Sequence, residues 1–430
     1  MRLRRLLNQC LNFEREARFH RGEIAYSLER MQRLAAALGS PQLSTPCVHV
    51  TGTNGKGSTC TYLAAIARAH GLRDGLYTSP HLFTPRERIA VCGKPVAEAP
   101  LVAAIERVLA VAGADRPSYF EALTLAAFLI FAELKLDFAV YEVGLGGRLD
   151  ATNLVQPIAA AITTIGLDHL AVLGPTREAI AREKAGILKV GRPVFLGLID
   201  AGPRAVIAEI AARQRAAINQ IERLEIVASA GDHVRFQLRE PRALAGTYEI
   251  PTLAEYQAVN AALALALFAG VAAALGVIPQ VTCAAAALAR TTIPGRFHVL
   301  PGRPTLVLDG GHTEQALLEV GQAFAGKFPG RPHCALVGAL ADKDRAGLAR
   351  ALRRIGAPCV VTRPDSPRAL DPAVLLGELQ AHGLNGTVEA DPLRALEQAK
   401  ALAGQRGVVL VTGSFYLVAR ILAHETKRKE

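Results

Sequence analysis

HVTGTNGKGST, residues 49–59, decides how the chain is read. An apolar run over residues 46–50 feeds a glycine-rich turn, and helix-forming residues follow from 59 to 70. Strand, loop and helix in that order suit a phosphate cradle. Backbone N–H groups freed by glycine point at the anion, and the start of the helix adds partial positive charge. Lys56 would neutralise phosphate oxygens, and a hydroxyl from Ser58 or Thr59 would hold a magnesium ion. The strict pattern G-x-x-x-x-G-K-[ST] is not met: Val50 stands where the first glycine belongs, and Gly57 separates Lys56 from Ser58. A glycine-rich turn without a ligand is the competing reading. The strand before and the helix after favour phosphate.

Bulk properties narrow the class. A chain of 430 residues is too long for one ordinary core, so two domains are expected. The net charge of +11 suits nucleic acid or small anions, and no Lys/Arg block with interleaved aromatics occurs, so small anions are expected and nucleic acid is not. Seven scattered cysteines, never spaced C-x-x-C, point to a reducing, cytoplasmic compartment without a zinc site or disulfide framework. The basic start lacks an adequate apolar core before Asn8, Glu14 and Glu16, so no signal peptide is expected. Residues 261–278 carry no polar side chain and reach the length of a membrane span. They are rich in alanine with two glycines, which reads as a buried helix and not as a membrane anchor.

Along the chain, residues 1–45 read as helical, with Leu28, Met31, Leu34, Ala35 and Leu38 at helical spacing. A strand over 72–77, a polar loop TSPHLFTPRERI (78–89), a hairpin over 91–96 and helices over 100–112 and 118–134 follow. The run 137–143 reads as a buried strand ending in GLGGRLDATN (144–153). Glu142 sits at its carboxyl end, where open α/β sheets put their ligands, and a carboxylate in an apolar strand must be paired or bind metal. The next strand, 159–165, is followed by Asp168 and His169, so Glu142 and His169 form an oxygen-plus-imidazole pair suited to a divalent ion. Alternation of strand-like runs with one helix continues over 191–253, and Gln257 and Asn260 open the alanine-rich helix, where they either bind adenine edges or serve polar packing. A hinge rich in Pro and Gly is expected over 291–302, with a second βα domain beyond it: strands at 305–308, 334–337, 359–361 and 408–412, and helices at 315–328, 346–355 and 392–403.

GTNGKGST (52–59) and GLGGRLDATN (144–153) resemble motifs of the folylpolyglutamate synthase/dihydrofolate synthase family, a branch of the Mur-type amide ligases. The segments SPHL…ERI (79–89) and FEALT (120–124), REKAGI (182–187), PGR (294–296) and the later loop residues follow in the family's order. The implied fold is α/β: an N-terminal P-loop-type ATPase domain with a mostly parallel sheet, residues 1–293, and a C-terminal Rossmann-like α/β domain, residues 294–430. The implied reaction is ATP-dependent ligation of L-glutamate to a dihydropteroate or reduced folate carboxylate through an acyl phosphate, with a closing two-domain cleft to keep water out.

The resemblance also assigns residues. Thr53, Asn54, Gly55, Lys56, Gly57, Ser58, Thr59, Asn260, Arg296 and Asp309 would bind nucleotide. His81, Phe120, Asp150, Ala151, Thr152, His312 and Ser414 would bind substrate. Ser58, Glu142, His169 and a carbamylated Lys184 would hold metal, and Lys56, Lys184 and His169 would serve catalysis. ATP, two Mg2+ ions and a monovalent cation such as K+ are the expected cofactors, and a monomer the expected state. One departure stands out: Thr313-Glu314 replaces the family's Asn-Pro and brings negative charge towards ATP and glutamate. It is the basis of an alternative reading, a nucleotide-binding regulator with weakened turnover. A Mur-type ligase for another acyl or amino-acid substrate is a further alternative.

Overall fold

The structure is a computed structural model and describes residues 2–11, 27–221, 224–230 and 232–427. The expected N-terminal helical stretch therefore lies partly outside the described residues; within them stand helices Arg2–Leu7 and Glu29–Ala37, the latter burying Met31, Leu34 and Ala35. The chain divides into two compact units: Met1–Ala228, Arg235–Pro251 and Gln257–Thr291 form one, and Ser229–Val234, Thr252–Tyr256 and Thr292–Glu430 the other.

The first unit is built on an eight-stranded sheet. Its strands are β1 (Cys47–Thr51), β2 (Asp74–Tyr77), β3 (Ile89–Val91), β4 (Lys94–Pro95), β5 (Phe138–Glu142), β6 (Ala159–Ile162), β7 (Val194–Leu196) and β8 (Ile218–Gln220), in the order β4-β3-β2-β5-β1-β6-β7-β8. Only β3 and β4 pair antiparallel, at one edge. β1, β5 and β6 are buried at every position, as continuous apolar runs must be when helices cover both faces. Val50 pairs with Glu142 and Thr51 with Ile162, so the loops leaving these three strands emerge side by side at their carboxyl ends. Helix Tyr119–Glu133 is buried nearly all round and starts with a Ser118–Glu121 capping box. The apolar stretch Tyr256–Leu275 is long enough to cross a membrane, but 67% of it is buried inside the protein, the environment of a core helix. A regular helix covers only Tyr256–Val271 of it; a 3-10 turn follows, and Gly276 ends it in the left-handed region.

A small sheet joins β9 (Glu225–Ala230), β10 (His233–Leu238) and β11 (Gly246–Ile250) in the order β11-β10-β9.

The second unit holds six strands, β12 (His298–Leu300), β13 (Thr305–Leu308), β14 (His333–Val337), β15 (Cys359–Val361), β16 (Gly386–Val388) and β17 (Val408–Thr412), in the order β12-β13-β17-β14-β15-β16. All neighbours are parallel except β12, which adds antiparallel to β13. The stretch expected to be hinge thus contributes an edge strand. Its pairing partner, not its own composition, makes it one. Helix Pro372–Ala381, β16 and helix Phe415–Lys427 were also not foreseen.

β17 is the centre of this sheet, and Leu410 on it is fully buried. Leu410→Ala should cost about 2–5 kcal/mol in chemical denaturation. Val388→Ala, on edge strand β16 with Val388 41% exposed, should stay within about 0.5 kcal/mol. Equal losses would contradict this placement of the core.

Candidate active site

The helix after β1 begins earlier than expected, at Lys56, and runs to Ala69. Gly55 precedes it in the left-handed region (φ 82°), a conformation glycine adopts without cost. A Cβ on Gly55 would stand 2.3 Å from Asn260 Oδ1, and one on Gly57 would stand 3.4 Å from Glu142 Oε2. Close approach therefore requires the first glycine, and the second lies in the first helical turn against the carboxylate.

The loop is tied down from the β6 side. Thr53 N donates to Thr164 O at 2.9 Å, Asn54 N to Thr164 Oγ1 at 2.9 Å, and Gly166 N to Thr53 Oγ1 at 2.9 Å. Thr163 Oγ1 donates to Asn54 O at 2.5 Å. Composition gave no warning that Thr163 and Thr164 would serve as anchors.

Two ammonium groups converge on one carbonyl. Lys56 Nζ and Lys184 Nζ each lie 2.9 Å from Gly52 O, and Lys56 Nζ also reaches Thr53 O at 3.2 Å. Lys184, in the last turn of helix Arg177–Ala185, is buried. Burial, then the charge of Lys56, pull its ammonium down to about 7, against a smaller opposing pull from Asp168. Glu142 is 2% exposed and accepts from Ser79 N at 2.9 Å. Ser58 and Thr59 are buried in the helix's first turn, and Thr59 Oγ1 has no hydrogen-bond partner. Asn260 is held by Gln257, whose Oε1 accepts from its Nδ2 at 3.0 Å.

Among the described residues no three His, Cys, Asp or Glu side chains cluster as a ready metal site. The oxygen donors fit a hard cation nonetheless: a buried carboxylate faces the hydroxyl-bearing helix start, and Lys184 would join them as an acid only after carbamylation. His169 sits in the left-handed region at the start of helix Leu170–Leu173, its Nε2 3.6 Å from Asp168 Oδ2.

On the β2 and β5 side, the Phe120 ring lies over Gly144, where a Cβ would come within 2.5 Å of it. His81 Nδ1 accepts from Arg88 Nε at 2.9 Å, and Arg88, only 2% exposed, spans the Tyr119 ring. Arg88 escaped the sequence reading because a basic residue in a polar loop looks solvated. The 144–153 turn is self-braced: Asp150 accepts from Leu145 N and from Thr152 N and Oγ1, and it caps the short turn Ala151–Leu154. Burial raises the Asp150 carboxyl, and these hydrogen bonds pull it back.

His49 is a further residue that sequence reasoning missed. It lies wholly buried in β1 with Nε2 2.7 Å from Thr152 Oγ1, and desolvation drives its imidazole down to about 3.

In the second unit the loops after β13, β14 and β17 emerge together at the strands' carboxyl ends. Asp309 accepts from Phe297 N, Gly311 N and Tyr256 Oη at 2.8, 2.7 and 2.9 Å. Burial raises its carboxyl, opposed by the Arg296 charge. The Arg296 guanidinium stacks 4.0 Å from the centre of the Phe415 ring. His312 Nδ1 lies 3.0 Å from Gly310 O, and Ser414 Oγ accepts from Tyr416 N. Thr313 caps helix Glu314–Lys327. Glu314 accepts two hydrogen bonds from Arg350 at 2.9 and 2.8 Å, which hold its carboxyl below the usual range. The negative charge that the sequence brought to this loop is therefore locally compensated.

Both units carry loops at the carboxyl ends of parallel strands, and both match Mur ligase models. Residues 50–268 match the Mur ligase middle domain and residues 295–415 the Mur ligase glutamate ligase domain. Among curated proteins, the dihydrofolate synthase/folylpolyglutamate synthase of Escherichia coli is 34% identical over 94% of this chain and 92% of its own length. That of Bacillus subtilis is 31% identical over 92% and 94%. The solved E. coli FolC in complex with DHPP and ADP superposes with a TM-score of 0.84 at 32% identity, covering 95% of each chain. A bifunctional folylpolyglutamate synthase/dihydrofolate synthase with Mn, AMPPNP and L-glutamate bound gives 0.80 at 33% identity, over 94% of this chain and 95% of that one. The chain belongs to the folylpolyglutamate synthase/dihydrofolate synthase family of ATP-dependent ligases.

His49 makes stability pH-dependent. Unfolded histidine takes up a proton near its ordinary pKa of about 6.5, whereas the buried one resists until about 3. Stability present above pH ~6.5 is therefore lost as pH falls through that window. Wild type should lose about 2 kcal/mol relative to His49→Gln between pH ~7 and ~5 in chemical denaturation. Parallel stability curves would contradict the assignment.

Proposed function

We propose that the chain joins L-glutamate to the carboxylate of dihydropteroate and of reduced folates, with ATP converting that carboxylate into an acyl phosphate. The single observation that carries this reading is the convergence of Lys56 and Lys184 on the Gly52 carbonyl, at a glycine-bounded helix start. An anion entering beside the Lys56 ammonium is favoured by its charge, while Lys184, brought down to about 7, is the member of the pair that can shed its proton.

In the first unit Thr53 to Thr59 would cradle the phosphates and Asn260 the adenine side. His81, Phe120, Asp150, Ala151 and Thr152 would receive the pterin, with the Phe120 ring stacking on it. In the second unit Arg296 and Asp309 would serve the nucleotide, and His312 and Ser414 the amino-acid substrate. Ser58, Glu142, His169 and carbamylated Lys184 would hold two magnesium ions. When bound, these would neutralise charge on the transferring phosphoryl group. A lysine brought down to about 7 is partly unprotonated at neutral pH, as carbamylation requires. A monovalent cation such as K+, a monomeric state, cytoplasmic residence and a domain boundary between 293 and 294 complete the proposal.

The weakened-regulator reading rested on Thr313-Glu314 in place of Asn-Pro, and the pairing of Glu314 with Arg350, which compensates its charge, speaks against it.

Purified protein with MgATP, L-glutamate and dihydropteroate should form dihydrofolate in step with ADP. Lys56→Ala should lower kcat by about a hundredfold or more. Turnover unchanged by the substitution would remove Lys56 from the mechanism. For Lys184, depleting dissolved CO2 should lower activity and bicarbonate should restore it; indifference to both would argue against carbamylation.

A further inference from the structure

β1 does more than deliver the phosphate loop. Its alternate residues His49 and Thr51 both grip the 144–153 turn: Thr51 Oγ1 donates to Gly146 O at 2.7 Å, and His49 Nε2 meets Thr152 Oγ1 at 2.7 Å. The direction of the second bond follows from proton counting. A threonine hydroxyl has one proton, and Thr152 gives it to Asp150 Oδ1. Thr152 Oγ1 must then accept, so His49 is the donor and carries its proton on Nε2. Nδ1 is the bare nitrogen, and it has no hydrogen-bond partner in its buried setting.

We infer that His49 is a positioning residue that fixes the substrate-side turn, through a His49–Thr152–Asp150 chain, to the strand that carries the phosphate loop. An unsatisfied buried nitrogen is costly, and an apolar residue of similar size would fill an all-buried strand without that cost. A histidine here is explained by what its other nitrogen does. Asp150 in turn holds Leu145 N and Thr152 N, so the chain fixes the turn within its glycine-rich start and again near its end. The phosphate loop has separate anchors in Thr163, Thr164 and Gly166, so loosening the turn should leave it in place.

The inference rests on the proposal that this turn receives the pterin substrate, and the test separates the two. Glutamine reaches as far from Cβ as histidine Nε2 and can donate to Thr152. Asparagine reaches only as far as Nδ1 and cannot. His49→Asn should raise the KM for dihydropteroate about tenfold or more and leave that for ATP within about twofold, while His49→Gln should stay within about threefold on both. Parallel rises in the two KM values, or equal behaviour of Asn and Gln variants of matched Tm, would overturn the inference. Amide hydrogen exchange at Leu145 and Thr152 supplies a readout free of substrate. Exchange should speed up in His49→Asn and not in His49→Gln, and no difference would overturn the clamp even if the substrate assignment holds. Faster exchange with unchanged dihydropteroate KM would keep the clamp and refute the substrate role of the turn.

Discussion

Two lysine side chains share one backbone carbonyl, and much of the first unit is arranged so that they can. Lys56 reaches Gly52 O from the start of its own helix, and Lys184 reaches it from a chain position 132 residues away. Ammonium groups this close repel, and burial of Lys184 adds to the cost of its charge. The fold nonetheless brings them together, which pulls the Lys184 ammonium down to about 7 and leaves Lys56 as the firmly charged member of the pair. The loop is shaped for that geometry: Gly55 lets it turn, and the threonines after β6 fasten it.

Parallel strands make this possible. With β1, β5 and β6 in register and buried throughout, their loops are delivered side by side to the same end of the sheet. The glycine-rich loop follows β1, the turn braced by Asp150 follows β5, and Asp168 and His169 follow β6. The second unit repeats the principle with loops after β13, β14 and β17. Each unit has its own apolar core, so each can hold its loops rigidly.

Much of this was legible in the residues because the signals were local. Apolar runs marked the central strands, glycine clusters marked the loops, and Glu142 stood out as a carboxylate at the end of an apolar strand. Non-local features were not legible. His49 looks like one polar residue in a buried strand, and its meaning lies in Thr152, far along the chain. β12 hides in a Pro/Gly-rich stretch because only its pairing with β13 makes it a strand. Gly57 reads as a turn residue in the sequence, whereas it lies in the first turn of a helix that already begins at Lys56. Glu314 looked like an uncompensated charge because Arg350, its partner, lies on another helix.

Activation of the substrate carboxylate by ATP at the loop after β1 would leave an isotopic record in the released phosphate. Dihydropteroate labelled with oxygen-18 in its carboxylate would be turned over with MgATP and L-glutamate. An acyl phosphate requires one labelled oxygen to leave with each inorganic phosphate released. Unlabelled phosphate, with amide product formed, would contradict the account.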